Sequence, residues 1–141
     1  MLSKITENEI ERFAIELLKS LGFEYIYAPN IAPDSQTPMR ESFEDVILKD
    51  KLINALTTIN PTLGNEPIEY ALKQCQRFNR TELLSDNEAF HKMLTEGITV
   101  EVVLDGVTRG EIVKLIDFDD VSNNDFVVSN QFTVDRKSTR L

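Results

Sequence analysis

Residues 83–134 read LLSDNEAFHKMLTEGITVEVVLDGVTRGEIVKLIDFDDVSNNDFVVSNQFTV, and the apolar period of this stretch changes at Gly97. Ahead of Gly97, Ser85 and Glu88 have the spacing of a capping box, and Phe90, Met93 and Leu94 recur three and four residues apart. That pattern predicts a helix starting at Ser85 and stopped by the glycine. After Gly97 the period falls to two. Ile98 to Leu104 is predicted as a strand, Asp105-Gly106 as a turn and Glu111 to Phe118 as a second strand. Asn123-Asn124 marks another turn before a third strand from Asp125 to Val134. The expectation is an antiparallel meander that supplies the sheet of the protein.

Upstream the chain is helical. Ile10, Phe13, Leu17, Leu18 and Leu21 follow helical spacing, with Thr6 and Glu9 placed as a capping box and Gly22 as the stop. Phe23 to Ala28 (FEYIYA) is predicted as a short strand, followed by a loop carrying Pro29, Pro33 and Pro38. A second helix is predicted over Ser42 to Thr57, ended by Asn60-Pro61. Asn65, Glu66 and Pro67 open a third, with Ile68, Ala71, Leu72 and Cys75 on its inner stripe. The whole is an α+β domain in which N-terminal helices pack on a mostly antiparallel sheet built by the C-terminal third.

Composition narrows the function. Of 141 residues, 41 % are apolar and 28 % charged, enough for a core and unlike a disordered tail. The net charge is −9, the wrong sign for a general polyanion binder. One cysteine excludes an internal disulfide, and no apolar run approaches the roughly 20 residues of a membrane span. The start, Met1-Leu2-Ser3-Lys4-Ile5-Thr6-Glu7, lacks the apolar stretch of a signal peptide, so the expected location is the cytoplasm.

Two acids depart from ordinary helix patterning. At about 100° per residue from Ile10, Phe13, Leu17 and Leu21 fall within about 60°, and Leu18 and Ile15 extend one flank. Glu9, Arg12, Glu16 and Lys19 lie opposite, as a solvated face should. Glu7 projects at about 60° and Glu11 at about 100°, between Leu18 and Ile15. Both acids therefore sit on the side expected to face protein, where a carboxylate can serve a site or hold a hard cation. Acids in a first helical turn also have a simpler reading, as partners of the helix dipole.

Other groups read as structural. Asp117, Asp119 and Asp120 form an acidic turn, Cys75 lies on an apolar stripe, and His91 stands alone. The residue types give no metal site. Basic residues gather at Arg136, Lys137 and Arg140, a candidate contact for DNA phosphate, and less densely at Arg77 and Arg80 beside Phe78.

Four segments in order carry a resemblance: TENEIERFAIELLKSLGFEY, LINALTTINPTLGNEPIEYALKQ, LLSDNEAFHKMLTEGITVEV and LIDFDDVSNNDFVVSNQFTV. Together, over about Thr6 to Val134, they resemble the start of the restriction and motor (R) subunit of type I restriction–modification enzymes. The resemblance implies a restriction-endonuclease-like fold followed by an ATP-driven motor. It implies an Mg²⁺- and ATP-dependent endonuclease that cuts DNA after translocation, working with specificity and methyltransferase subunits. Its catalytic motif is an Asp, commonly after a Pro, then Glu-x-Lys on the next strand, downstream of the NQFTV-like run. Such carboxylates hold the metal that activates water.

The present sequence holds no Pro-Asp followed by Glu-x-Lys; Pro33-Asp34 has no such partner. Residues 1–141 are therefore expected to be an N-terminal fragment of the nuclease domain that stops before the motif. The fragment alone is expected to be inactive, to bind neither cofactor, and to self-associate through an exposed sheet edge. The family also places an acid of the first helix in the site, and here Glu11 matches best, with Glu7 second. The competing reading is a non-catalytic acidic module that docks on a partner protein. Steep loss of DNA affinity with salt distinguishes a DNA-binding surface from such a module.

Overall fold

The structure is a computed structural model and describes residues 4–77 and 83–134. It has α1 (Glu7–Ser20), β1 (Glu24–Tyr27), α2 (Lys49–Ile59), α3 (Asn65–Gln76), α4 (Leu83–Glu96), β2 (Ile98–Leu104), β3 (Val107–Val113) and β4 (Val127–Asn130). Short 3₁₀ turns follow β1 at Ala28–Ile31 and precede β4 at Val121–Asn123. Helices and strands mix as an α+β fold, with an antiparallel β2–β3 pair from the C-terminal part of the chain. The chain divides into two compact units, Met1–Val46 with Phe126–Leu141, and Ile47–Asp125.

The unit from Ile47 to Asp125 follows its patterning. Leu56, Ile68, Ala71, Cys75, Ile98, Val100, Val113 and Leu115 form its core, with Phe90, Met93 and Leu94 of α4 packed against it. Asp105 and Gly106 both have positive φ, 52° and 77°, the geometry of a two-residue hairpin turn matched to strand twist. That turn pairs Leu104 with Val107 at once, so β3 begins at Val107 rather than at Glu111. Gly97 has φ 81°, and a Cβ there would lie 2.7 Å from the Val113 carbonyl oxygen. Glycine thus ends α4 and lets β3 approach. The buried Asn60 side chain bonds the backbone of Lys114 on both sides, accepting from its N–H and donating to its carbonyl, each at 2.8 Å. It replaces a strand partner just past the end of β3.

Three helix boundaries differ from the sequence reading. Thr6 and Glu9 do cap α1 reciprocally. The second helix, however, starts at Lys49, not Ser42. Arg40 takes the carbonyls of Phe43 and Asp45, and the Asp45 carboxylate takes the Ser42 N–H, which commits those groups to a loop. Gly64, not Asn65, is the N-cap of α3. Helix α4 begins at Leu83, so Ser85 lies inside it and is no cap.

The other unit holds α1, β1 and β4. The third predicted strand does not join the meander: β4 pairs with β1 in parallel, Glu24 with Val127 through Tyr27 with Asn130. Phe23 and Phe126 meet edge to face just ahead of the pair, centroids 5.3 Å apart. Arg40 is 5 % exposed and ties the loop to the chain after β4, its Nη2 donating to the Thr133 carbonyl at 2.6 Å and its guanidinium lying 4.0 Å over Phe132. Burial lowers the pKa of this guanidinium, opposed by nearby Asp45.

The packing of α1 overturns one expectation. Its main stripe is open, with Ile10 59 %, Phe13 71 % and Leu17 50 % exposed. Ile15 is buried, and Glu11 and Leu18 are half-buried. The helix therefore packs through the flank that carries Glu11, Ile15 and Leu18, where Glu11 takes amide donors from Asn130 and Gln131.

Candidate functional site

Parallel pairing sets this site. Partners in register point to the same face, and the faces alternate along a strand. Tyr25, Tyr27, Val128 and Asn130 therefore share a face of the β1–β4 pair. Tyr25 donates its hydroxyl to Asn130 Oδ1 at 2.7 Å. Asn130 Nδ2 donates to Glu11 Oε1. A carboxylate only accepts, so the amide has one orientation that satisfies both neighbours.

The next residue adds a second donor. Gln131 Nε2 lies 3.2 Å from Glu11 Oε1 and 3.3 Å from Oε2. Gln131 has φ 57°, the left-handed region that a non-glycine residue seldom occupies. The two oxygens of a carboxylate offer about four acceptor positions, so Oε2 keeps capacity for a further partner. Chemically, the arrangement is one carboxylate fixed by two neutral amides and indirectly by a phenol.

Other candidates fare differently. Glu7 is exposed at the first position of α1, one turn from Glu11. Arg136, Lys137 and Arg140 lie outside the described residues, as does Arg80. Arg77 is exposed and donates to Gln74 Oε1 at 3.4 Å. Asp117 is a turn organiser: it accepts from the N–H groups of Asp119 and Asp120 at 3.0 and 2.9 Å and from the Asn123 amide at 3.0 Å. The Asn123 bond is the largest cause of its lowered pKa, followed by the Asp120 N–H. His91 is exposed, and Cys75 is buried, its thiol pKa pushed up by desolvation.

Mg²⁺ prefers several oxygen ligands in octahedral array. Among the described residues no group of three or more His, Cys, Asp or Glu side chains could hold an ion. Glu11 by itself does not make a magnesium site, and no chemical step through a metal follows from these residues. Among the described residues, no helix is long and apolar enough to cross a membrane.

Asn130, Gln131, Tyr25 and Arg40 escaped the sequence reading. The run Asn130-Gln131 was visible, but nothing in its spacing marks a residue that leaves the β conformation.

Comparison with known proteins identifies the family. Residues 4–141 match the family described as type I restriction enzyme R protein N terminus, and the chain belongs to it. Over 134 residues the chain is 34 % identical to a protein of Methanocaldococcus jannaschii named putative type I restriction enzyme MjaIXP endonuclease subunit, covering 94 % of this chain and 13 % of that one. Over 130 residues it is 30 % identical to the type I restriction enzyme HindI endonuclease subunit of Haemophilus influenzae, covering 92 % and 12 %. The chain thus spans about an eighth of the length of these relatives. No solved structure gives a significant match.

Proposed function

We propose that this chain forms the front of the nuclease domain of a type I restriction endonuclease subunit, with Glu11 contributing a carboxylate to the DNA-cleaving site. The observation that carries the reading is the convergence of Asn130 and Gln131 on Glu11 in a member of this family. Glu11 sits on the packed face of α1, where a merely solvating acid has no reason to be. The ion and the activation of water belong, on this reading, to the Asp and Glu-x-Lys that the longer subunit supplies. The complete enzyme works in the cytoplasm, uses Mg²⁺ and ATP, and assembles with specificity and methyltransferase subunits. Arg136, Lys137 and Arg140 contact DNA phosphate.

Two measurements test this. In the assembled enzyme carrying the full-length subunit, Glu11→Gln lowers the DNA cleavage rate roughly 100-fold, the scale of a lost acid–base or charge contribution, while ATP hydrolysis continues. Glu7→Gln separates the two acids and leaves cleavage intact. Normal cleavage by Glu11→Gln sinks the reading. Separately, the purified 141-residue chain cuts no DNA with Mg²⁺ present, because it contains no Glu-x-Lys; cleavage by it would overturn that assignment.

A further inference from the structure

Consecutive residues of a strand point to opposite faces. Asn130 and Gln131 are consecutive, yet both side-chain amides reach the same carboxylate. The reason is the backbone of Gln131, whose φ of 57° swings its side chain back to the Asn130 side. Such a conformation is disfavoured for a residue with a Cβ and persists only where neighbours enforce it. Here they do so from both directions. On one side Asn130 is the last residue paired with β1, opposite Tyr27. On the other, Arg40 holds Phe132 under its guanidinium and the Thr133 carbonyl on Nη2. Gln131 is thus held in its turned conformation by anchors at residues 130, 132 and 133.

We propose that Asn130 and Gln131 are positioning residues: a two-amide clamp that fixes the carboxylate of Glu11 in one rotamer for the cleavage step. This rests on the reading of Glu11 given above. Neither amide need touch DNA. Each donates to Glu11 and leaves Oε2 the freer oxygen, so the clamp selects which oxygen faces the reacting groups. The carboxylate keeps the Asn130 amide from flipping, since a flipped amide would set oxygen against carboxylate oxygen, and the Tyr25 hydroxyl donates to the amide oxygen that results.

The test is Gln131→Gly in the full-length subunit within the assembled enzyme. Glycine accepts the left-handed backbone without strain and removes the side chain that carries the amide. The expected result is a roughly tenfold fall in cleavage rate, with the apparent affinity for DNA unchanged and the melting temperature unchanged or raised. A residue kept for stability alone gives the reverse: a lower melting temperature and wild-type cleavage, which would overturn the proposal. Asn130→Ala supplies a second route, with Asn130→Gln as the conservative variant expected to restore part of the rate. A readout independent of activity comes from the 141-residue chain. By NMR, Glu11→Gln should shift the side-chain NH₂ signals of both Asn130 and Gln131. Amide signals that ignore the substitution overturn the clamp. If Glu11→Gln cleaves normally, the reading of the site fails; if it is inactive while Gln131→Gly is fully active, the clamp alone fails.

Discussion

The two units of this chain use the same kinds of residue in opposite ways. From Ile47 to Asp125, the apolar stripe of α3 is also its buried face: Ile68, Ala71, Leu72 and Cys75 are all under 9 % exposed. In the unit that holds α1, the stripe at Ile10, Phe13 and Leu17 is open, and the helix is held by its Glu11 flank. Periodicity reports which face of a helix is apolar. Which face is covered depends on what partner is present and on whether a polar group on another face has strong donors waiting. One unit is organised by area removed from water; in the other a polar network around one carboxylate stands beside the buried Ile15, Ala28, Ile31 and Ala32.

That contrast can be broken by mutation. The largest effect belongs to Leu56→Ala in the closed core. Leu56 is 0 % exposed, and truncation leaves a cavity lined by α3 and strand residues, at a cost of about 2–5 kcal/mol in urea unfolding. A smaller effect follows for Asp117→Asn, read as a pH dependence. Hydrogen bonds from Asn123 and from the Asp120 and Asp119 N–H groups hold this carboxyl below its ordinary value of 3.8. Its contribution is present above that value in the folded protein and is lost as pH falls through the lowered one. The gap in urea midpoint between wild type and variant should therefore be constant from pH 7 to pH 5 and shrink only below about 3.8. A gap that shrinks instead above pH 5 would assign the effect to another group.

The smallest effect is expected for Phe13→Gln on the open stripe of α1. A substitution there changes the stability of the 141-residue chain by no more than about 0.5 kcal/mol. A loss as large as that of Leu56→Ala would mean that the stripe is covered in solution by a second copy. Sedimentation of wild type and variant across a concentration range tests for that copy.

Much of the fold was legible because its signals are local. Thr6 and Glu9 cap a helix through three residues of spacing, and Asp105-Gly106 closes a hairpin through two. The bounds of β2 come directly from alternation between Ile98 and Leu104. The partner of β4 was not legible. A parallel pair joins residues about a hundred positions apart, and no local pattern in Val127 to Asn130 names Glu24 to Tyr27 as the other strand. The site was half legible. The helical angle of Glu11 set it apart from the solvated acids, but the donors that hold it depend on that distant pairing and on a left-handed glutamine. Arg40 bonds the carbonyls of Phe43 and Asp45, which a longer second helix would have needed.

The parallel pairing of β1 with β4 also bears on how the molecule is made. During synthesis β1 leaves the ribosome long before β4, and every residue of the Ile47–Asp125 unit emerges between them. That unit is continuous in sequence and contains its own core, so it can close first even though its synthesis begins later. Closing a loop of this length costs conformational entropy that grows only slowly with length, and an intervening unit already folded shortens the chain that must be ordered. The carboxylate of Glu11 therefore meets its amides only late in folding, and α1, although synthesised before the Ile47–Asp125 unit, is among the last of the described elements to acquire its partners.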